Sequence, residues 1–322
     1  VNKQKIAIIG RGISGLSCGI GLLEKGYDVL IYSKDALAQT TSMSAGAFWW
    51  PYNTKPFDKV KAWSATSFHA YKHFQTDPFS GVSFQTCLRF CEEEDETLSV
   101  LEMVEAWNAI DGIDYGIPFE KAYSIVLPVI DVPTFMPYIE DKYRALGGQI
   151  FVQLIQTIEE LFEHYDTVIN CCGLGAYHLV HDTSVYPIRG QVLSVAKEDT
   201  FSPDVRIILS KDNFTMILPR AHDYLLGGTA DIGDWSLVVN PQQSHEFKKR
   251  CELVMPELKN SRVLSESVGL RPGRDEIRLE VEHHRNGKSV IHNYGHGGGG
   301  YTVAWGCAQE VISLVEALKA DS

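Results

Sequence analysis

Residues 5–15 read Lys5-Ile6-Ala7-Ile8-Ile9-Gly10-Arg11-Gly12-Ile13-Ser14-Gly15. The opening residues form a short apolar run of the kind that a buried parallel strand needs. After the Gly-x-Gly-x-x-Gly turn, Leu16, Ile20 and Leu23 recur at helical spacing as far as Gly26, a residue suited to the position just past a helix C-terminus. A second strand, Asp28-Val29-Leu30-Ile31-Tyr32, follows. Strand, glycine-rich turn, helix and strand within about thirty residues make the βαβ dinucleotide-binding unit. Gly10 permits the tight turn, Gly12 lets backbone N–H groups approach a pyrophosphate, and Gly15 lets helix and strand pack closely. The anion then sits at the helix N-terminus, where Ile13 and Ser14 begin the helix.

One position departs from this pattern. The acidic residue expected at the end of the second strand, which would hold a ribose hydroxyl, is missing, and Ser33 and Lys34 stand there with Asp35 beyond. Ser33 can bond the ribose and Lys34 can reach an adenylate phosphate, or both can mark a solvated strand end.

A chain of 322 residues is long for one compact core, so one large domain or two smaller ones is expected. Apolar residues at 44% and charged residues at 22% fit a soluble globular protein. Lys plus Arg is 29 against 41 Asp plus Glu, a net charge of −12, and the one long charge block, Glu92-Glu93-Glu94-Asp95-Glu96, is negative. Nucleic acid is therefore excluded as an expected partner. No run approaches a membrane span, and Ile6 to Ile9 is too short for a signal-peptide core. The 7 cysteines include no Cys-x-x-Cys pair, which argues against a zinc ribbon or a full disulfide framework. A reducing, cytoplasmic location follows as the expectation, and Ala320-Asp321-Ser322 is not a peroxisomal tripeptide.

Further along, Pro133 to Leu146 reads as an amphipathic helix closed by Gly147-Gly148, followed by a strand over Gln149 to Gln153. Ile155 to His164 has helical spacing, and Thr167 to Gly173 reads as a buried strand ending in a turn. β-Alternating runs such as Gln191-Val192-Leu193-Ser194-Val195 and Thr215-Met216-Ile217-Leu218 mark a different texture from Tyr186 to about Ser267. Near the end, Ile291-His292-Asn293-Tyr294 is a strand and His296-Gly297-Gly298-Gly299-Gly300 a loop. Thr302 to Leu318 is a helix. Consecutive glycines entering a helix favour a polar ligand group at its N-terminus.

These segments together resemble the D-amino-acid oxidase family, which includes D-aspartate oxidase, along nearly the whole chain. The matching blocks are Ile8 to Ser17, Thr40 to Tyr52, Val168 to Gly173 and Arg189-Gly190-Gln191. Gly227-Gly228 with Gly233-Asp234-Trp235, Val268-Gly269-Leu270-Arg271-Pro272 and His292 to Ala308 complete them. The resemblance implies an α/β fold: a Rossmann-like FAD-binding domain with an inserted mixed-sheet α+β substrate domain. The first would hold residues 1–54, 131–185 and 268–322, and the second residues 55–130 and 186–267.

It further implies FAD in an extended pose. Gly10, Gly12, Ile13, Ser14 and Gly15 would hold the pyrophosphate, with Ser33 and Lys34 toward the adenylate. Thr40, Thr41, Ser42, Ala45, Gly46, Ala47 and Phe48 would run along the cofactor, and Cys172 and Gly173 would border it. Gly297, Gly298, Gly299, Gly300, Tyr301 and Thr302 would line the flavin end. Arg271, beside the flavin, would take a substrate α-carboxylate on its planar fork, and the Gly298 carbonyl would receive the amine.

The family tyrosine that also bonds this carboxylate falls on Met216, and a second, on the lid, falls near Asp212. A thioether cannot replace a phenol as donor, so weaker carboxylate binding is expected unless another donor substitutes, and Tyr52, Trp50 or Tyr301 can serve or reshape the pocket. Met216, Phe48, Trp50 and Phe214 suggest a neutral, apolar side chain, whereas Lys211, Arg220 and His222 near the lid point to an acidic one. The expected reaction is oxidative deamination of a D-amino acid to a 2-oxo acid, with ammonia and H2O2 released and O2 consumed. The alternatives are oxidation of glycine, an N-substituted or cyclic amino acid or another amine, and a flavoprotein without turnover. His292 and His296 are read as orienting the glycine loop, and His69 and His73, four apart without a third ligand nearby, as surface or packing residues. No metal is expected, and a homodimer is the statistical default.

Overall fold

The computed structural model describes residues 4–51, 54–91, 100–111, 119, 121–198, 201–209 and 214–320. Tyr52, Lys211 and Asp212, named above, lie outside them. Two sheets carry the fold of the described residues. In the smaller, β1 (Lys5–Ile9) lies between β2 (Asp28–Ser33) and β8 (Thr167–Asn170), parallel to both. All but the first residue of β1 is buried, which is why it reads as a continuous apolar run. β7 (Gln149–Val152) extends the sheet beyond β2 and β16 (Ser289–Tyr294) beyond β8, both in parallel. β15 (Arg278–His283) ends it antiparallel to β16.

Helix α1 (Ile13–Glu24) links β1 to β2. It closes as its sequence predicts: Gly26, at φ 87°, donates its N–H to Leu23 O while Tyr27 donates to Leu22 O. α3 (Val132–Ala145) and α5 (Gly300–Ala320) pack against it, α2 (Phe57–Gln75) packs on α5, and small residues set the spacing. A Cβ on Gly19 of α1 would stand 2.7 Å from the Tyr143 ring of α3, and one on Gly306 of α5 would stand 2.3 Å from the Trp63 backbone of α2.

The larger sheet runs β13 (Asp231–Ile232), β9 (Tyr186–Ala196), β12 (Asp223–Gly227), β11 (Phe214–Pro219), β10 (Val205–Leu209), β4 (Val82–Cys91), β6 (Lys121–Ile130), β3 (Ala47–Phe48). β5 (Trp107–Ile110) pairs with β6, and β14 (Val263–Gly273) with β9. α4 (Pro241–Val254) packs on this sheet through Phe247, Cys251 and Val254 and is capped by Asn240, which accepts from the Gln242 and Gln243 N–H groups.

β14 runs through residue 268, and its second half, including Arg271, hydrogen-bonds to β9 of the larger sheet. The helix expected over Ile155 to His164 is a single 3-10 turn, Ile158–Leu161. Glu160 Oε1 accepts from the Gln156 and Thr157 N–H groups there, and β8 begins too soon after for further turns. Among the described residues no helix is long and apolar enough to cross a membrane.

Candidate active site

The pyrophosphate turn is built from backbone. Gly10 sits at φ 109°, and a Cβ there would lie 2.4 Å from Cys171 O. A Cβ on Gly15 would lie 1.9 Å from Gly10 O, closer than any atom can approach. Gly12 caps α1 without a side chain, and the Ile13 N–H is met instead by Ser42 Oγ at 3.0 Å. Glycine at these positions is thus a steric requirement, and it leaves a helix N-terminus open to an anion. Ser33 is buried and donates to Asp35 O at 3.0 Å. Lys34 is exposed and stands 3.6 Å from Asp35.

Beneath the turn lies a pair that motif reading does not anticipate. Arg11, between the first two glycines, is 7% exposed and donates from Nη2 to Glu140 Oε2 of α3 at 2.5 Å. Glu140 also accepts from Arg144 at 3.0 Å, so one carboxylate stands between two guanidinium groups. The sequence signal is a charged residue inside an otherwise apolar and glycine-rich turn.

From the turn, the strip Thr40 to Phe48 leads toward the larger sheet. Thr40 Oγ1 donates to Leu37 O, and Thr41 Oγ1 donates to Leu270 O, the residue before Arg271. Tyr301 donates its phenolic hydrogen to Ser42 O at 2.9 Å, joining the start of α5 to the same strip. Thr302 Oγ1 accepts from the Trp50 N–H and donates to Trp50 O. A Cβ on Gly299 would stand 2.4 Å from Thr54 Oγ1, a neighbour not foreseen from sequence. Ala47 and Phe48 form β3 against Ile130 and Val129. Gly46 packs on Met216, whose Cε is 2.8 Å from where a Gly46 Cβ would be.

The remaining expected residues close the belt. Gly173, at φ 57°, faces Pro272, and Gly297, at φ 53°, donates its N–H to Pro272 O. Both turns therefore meet at the residue after Arg271, and Gly298 is exposed between them and Gly299. Arg271 is half-buried and donates from Nη1 to Thr229 O at 3.1 Å. Its Nη1, Nη2 and Cζ lie 2.4, 2.5 and 2.6 Å from a Cβ position on Gly190. Near-equal distances mean that the guanidinium lies face-on across Gly190, so this glycine is the floor of the fork.

Met216 is buried on β11, with its Cε also 3.1 Å from a Gly227 Cβ position. It offers an apolar wall and no hydrogen-bond donor. Arg189, by contrast, donates to Ser236 O, Gln243, Gln191 and Val238 O, which fixes it as a strut under the larger sheet.

Neither His292, on β16, nor His296, in the glycine loop, is placed as a proton carrier. His296 is buried, hydrogen-bonds Asn293 Oδ1 at 3.0 Å, and burial pushes its pKa from 6.5 down to about 4. Burial also lowers His292, although its contact with Glu282 pulls the other way. His69 and His73 lie on α2, with ring contacts to Phe68 and Phe74. Among the described residues there is no group of three or more side chains placed to hold a metal ion.

The donor set fits an extended flavin dinucleotide: a side-chain-free anion turn at one end, a glycine loop at the other, and a continuous hydrogen-bonded strip between. Comparison with known proteins agrees. A family model described as FAD dependent oxidoreductase matches residues 5–314. The chain is 37% identical to a D-amino-acid oxidase of Rubrobacter xylanophilus over 97% of this chain and 96% of that one. It is 35% identical to a D-amino-acid oxidase of Streptomyces coelicolor over 96% of each. Its fold resembles the crystal structure of glycine oxidase from Geobacillus kaustophilus, with a TM-score of 0.79 at 16% identity, covering 98% and 95% of the two chains. The chain belongs to the FAD-dependent oxidoreductase family and has FAD as its cofactor.

Proposed function

We propose that the protein oxidises D-amino acids to 2-oxo acids, releasing ammonia and H2O2. The observation that carries this reading is the Arg271 guanidinium, laid across Gly190 and donating from Nη1 to Thr229 O beside the glycine loop. A planar fork held in this way suits a carboxylate bidentately. The carbonyl of Gly298, an exposed residue, is the acceptor for the substrate amine. Two fixed points on the substrate orient its Cα, and rate comes from that orientation. When bound, FAD supplies the two-electron acceptor that takes the Cα hydride and passes the electrons to O2. The imino acid left on the substrate hydrolyses to the 2-oxo acid and ammonia.

No side chain is required as general base, because a neutral amine is the reacting form, and burial favours the neutral form of both His292 and His296. Met216, packed between Gly46 and Gly227, offers a thioether where a phenol would donate, which favours neutral, apolar side chains. Tyr52, expected as a substitute donor, lies outside the described residues. The absence of a phenol at Met216 also favours a second reading, oxidation of a smaller or N-substituted amine that needs only the Arg271 contact.

Incubating the holoenzyme with separate D- and L-amino acids, while following 2-oxo acid, ammonia and H2O2, tests the proposal. One equivalent of each product from D-isomers only is expected. Products from L-isomers, or from glycine or N-methyl amino acids alone, would contradict it.

A further inference from the structure

The turn after β8 is held from behind by an unbroken polar chain that the proposed chemistry does not use. The Cys172 N–H donates to Asn170 Oδ1 at 3.2 Å. With its oxygen so engaged, the Asn170 amide turns its nitrogen to His292 Nδ1, 3.3 Å away. An amide nitrogen can only donate, so Nδ1 must accept and the ring hydrogen must lie on Nε2. Nε2 stands 3.0 Å from Glu282 Oε2, an acceptor. Asn170 and His292 are register partners on parallel β8 and β16, and both are fully buried.

The turn that this chain fixes is adjacent to the pyrophosphate turn. A Cβ on Gly10 would touch Cys171 O at 2.4 Å and Cys172 Cα at 3.4 Å. We propose that His292, as the neutral Nε2–H tautomer oriented by Glu282, is a positioning residue for FAD: it locks the Asn170 amide, which holds the Cys172–Gly173 turn in its cofactor-binding shape. The inference rests on that turn bordering FAD and is independent of the substrate.

A consequence follows from donor counting. A proton on Nδ1 would point at the Asn170 amide hydrogens, donor against donor. Relief requires the amide to flip, which removes the acceptor from the Cys172 N–H. The charged groups facing His292 are Glu282, Glu280 and Arg278 of β15, with the Tyr294 ring at 5.7 Å on its own strand and the neutral Asn170 on β8. Burial, with Arg278 acting in the same direction, keeps the ring neutral to lower pH than usual, while Glu282 and Glu280 oppose it. Acidification below the ordinary histidine range therefore loosens the turn.

The test is FAD affinity of the deflavinated full-length protein, read by flavin fluorescence between pH 7.5 and 5. Wild type is expected to lose about tenfold in affinity across this range, the effect of one buried hydrogen bond. His292→Asn keeps an acceptor for Asn170 and takes no proton, so its affinity should match wild type at pH 7.5 and stay flat. Asn170→Asp accepts from Cys172 at every pH and pairs with a protonated ring, so its acid loss should vanish or reverse. An unchanged wild-type slope in either variant overturns the proposal. So does nitrogen NMR of the wild-type holoenzyme showing His292 as the Nδ1–H tautomer, a reading that needs no variant. Gly173→Val, which strains a turn at φ 57°, weakens FAD at every pH if the turn borders the cofactor; unaltered affinity there overturns that premise and the proposal with it.

Discussion

The two ends of the cofactor strip are built on opposite principles. At the pyrophosphate end, glycine backbone makes the site: side chains are excluded by contacts of 1.9 and 2.4 Å to carbonyl oxygens. At the proposed substrate end, side chains make it: Arg271 over Gly190, and Met216 between Gly46 and Gly227. A backbone site has little freedom to change ligand, because every alternative residue collides with something that cannot move. A side-chain site can be retuned one residue at a time. The difference predicts that cofactor identity is fixed by sterics, whereas substrate choice depends on a few replaceable groups.

The largest effect should come from breaking the rigid end. Gly15→Ala places a methyl 1.9 Å from Gly10 O, and neither backbone can yield without opening the turn. The purified variant should retain almost no FAD by absorbance, and a yellow, fully loaded Gly15→Ala protein would refute the steric account. Next comes Arg271→Leu, which should keep FAD but lose about a thousandfold in kcat/KM, as expected for removing one partner of a partly buried charge pair. Steady-state kinetics checks this, with flavin content as the control.

Gly190→Ala acts on the same fork indirectly. Its Cβ would stand 2.4 Å from Arg271 Nη1, the movable end of a side chain, so the guanidinium shifts rather than the strand. A rise in KM of about tenfold with FAD retained is expected, because a displaced fork loses part of a charge-assisted contact. Met216→Leu should change kcat/KM for an apolar substrate by less than about threefold, since it conserves volume and removes no donor. A large loss there would mean that the sulfur itself has a role.

Acid stability sharpens the contrast from another side, because the buried histidines belong to the strand and loop behind the site. Above its ordinary 6.5, His296 is neutral in both folded and unfolded chains and has no effect. Between 6.5 and about 4 the unfolded chain takes a proton that the folded one refuses, so stability falls as pH falls. His296 alone accounts for on the order of 3 kcal/mol over that window. Urea midpoints at saturating FAD should drop from pH 7 to 4.5, and His296→Asn should flatten the decline.

Much of the pyrophosphate end is legible in the sequence because its determinants are local. A strand, a turn with glycine at fixed offsets and a helix lie within one βαβ unit, and the Gly26 stop is where the periodicity ends. Residues that act across the fold are not legible in this way. Arg11 meets Glu140 only because α3 packs beside α1, and Gly190 lies under Arg271 only because β9 and β14 pair in one register. Thr54 meets Gly299 for the same kind of reason. Ile155 to His164 misled because apolar spacing alone does not reveal the side-chain bonds that close a short turn. The family resemblance supplied Arg271, which periodicity by itself would have left as a strand residue.

The central claim is that Arg271 presents the α-carboxylate of a D-amino acid to FAD. The most direct measurement is anaerobic mixing of the holoenzyme, wild type and Arg271→Leu, with separate D- and L-amino acids while the flavin absorbance is followed. Rapid bleaching of wild type by neutral D-isomers, no bleaching by L-isomers, and bleaching slowed about a thousandfold in Arg271→Leu are predicted. Equal bleaching rates in the two proteins, or no bleaching of wild type by any D-amino acid, would contradict the account.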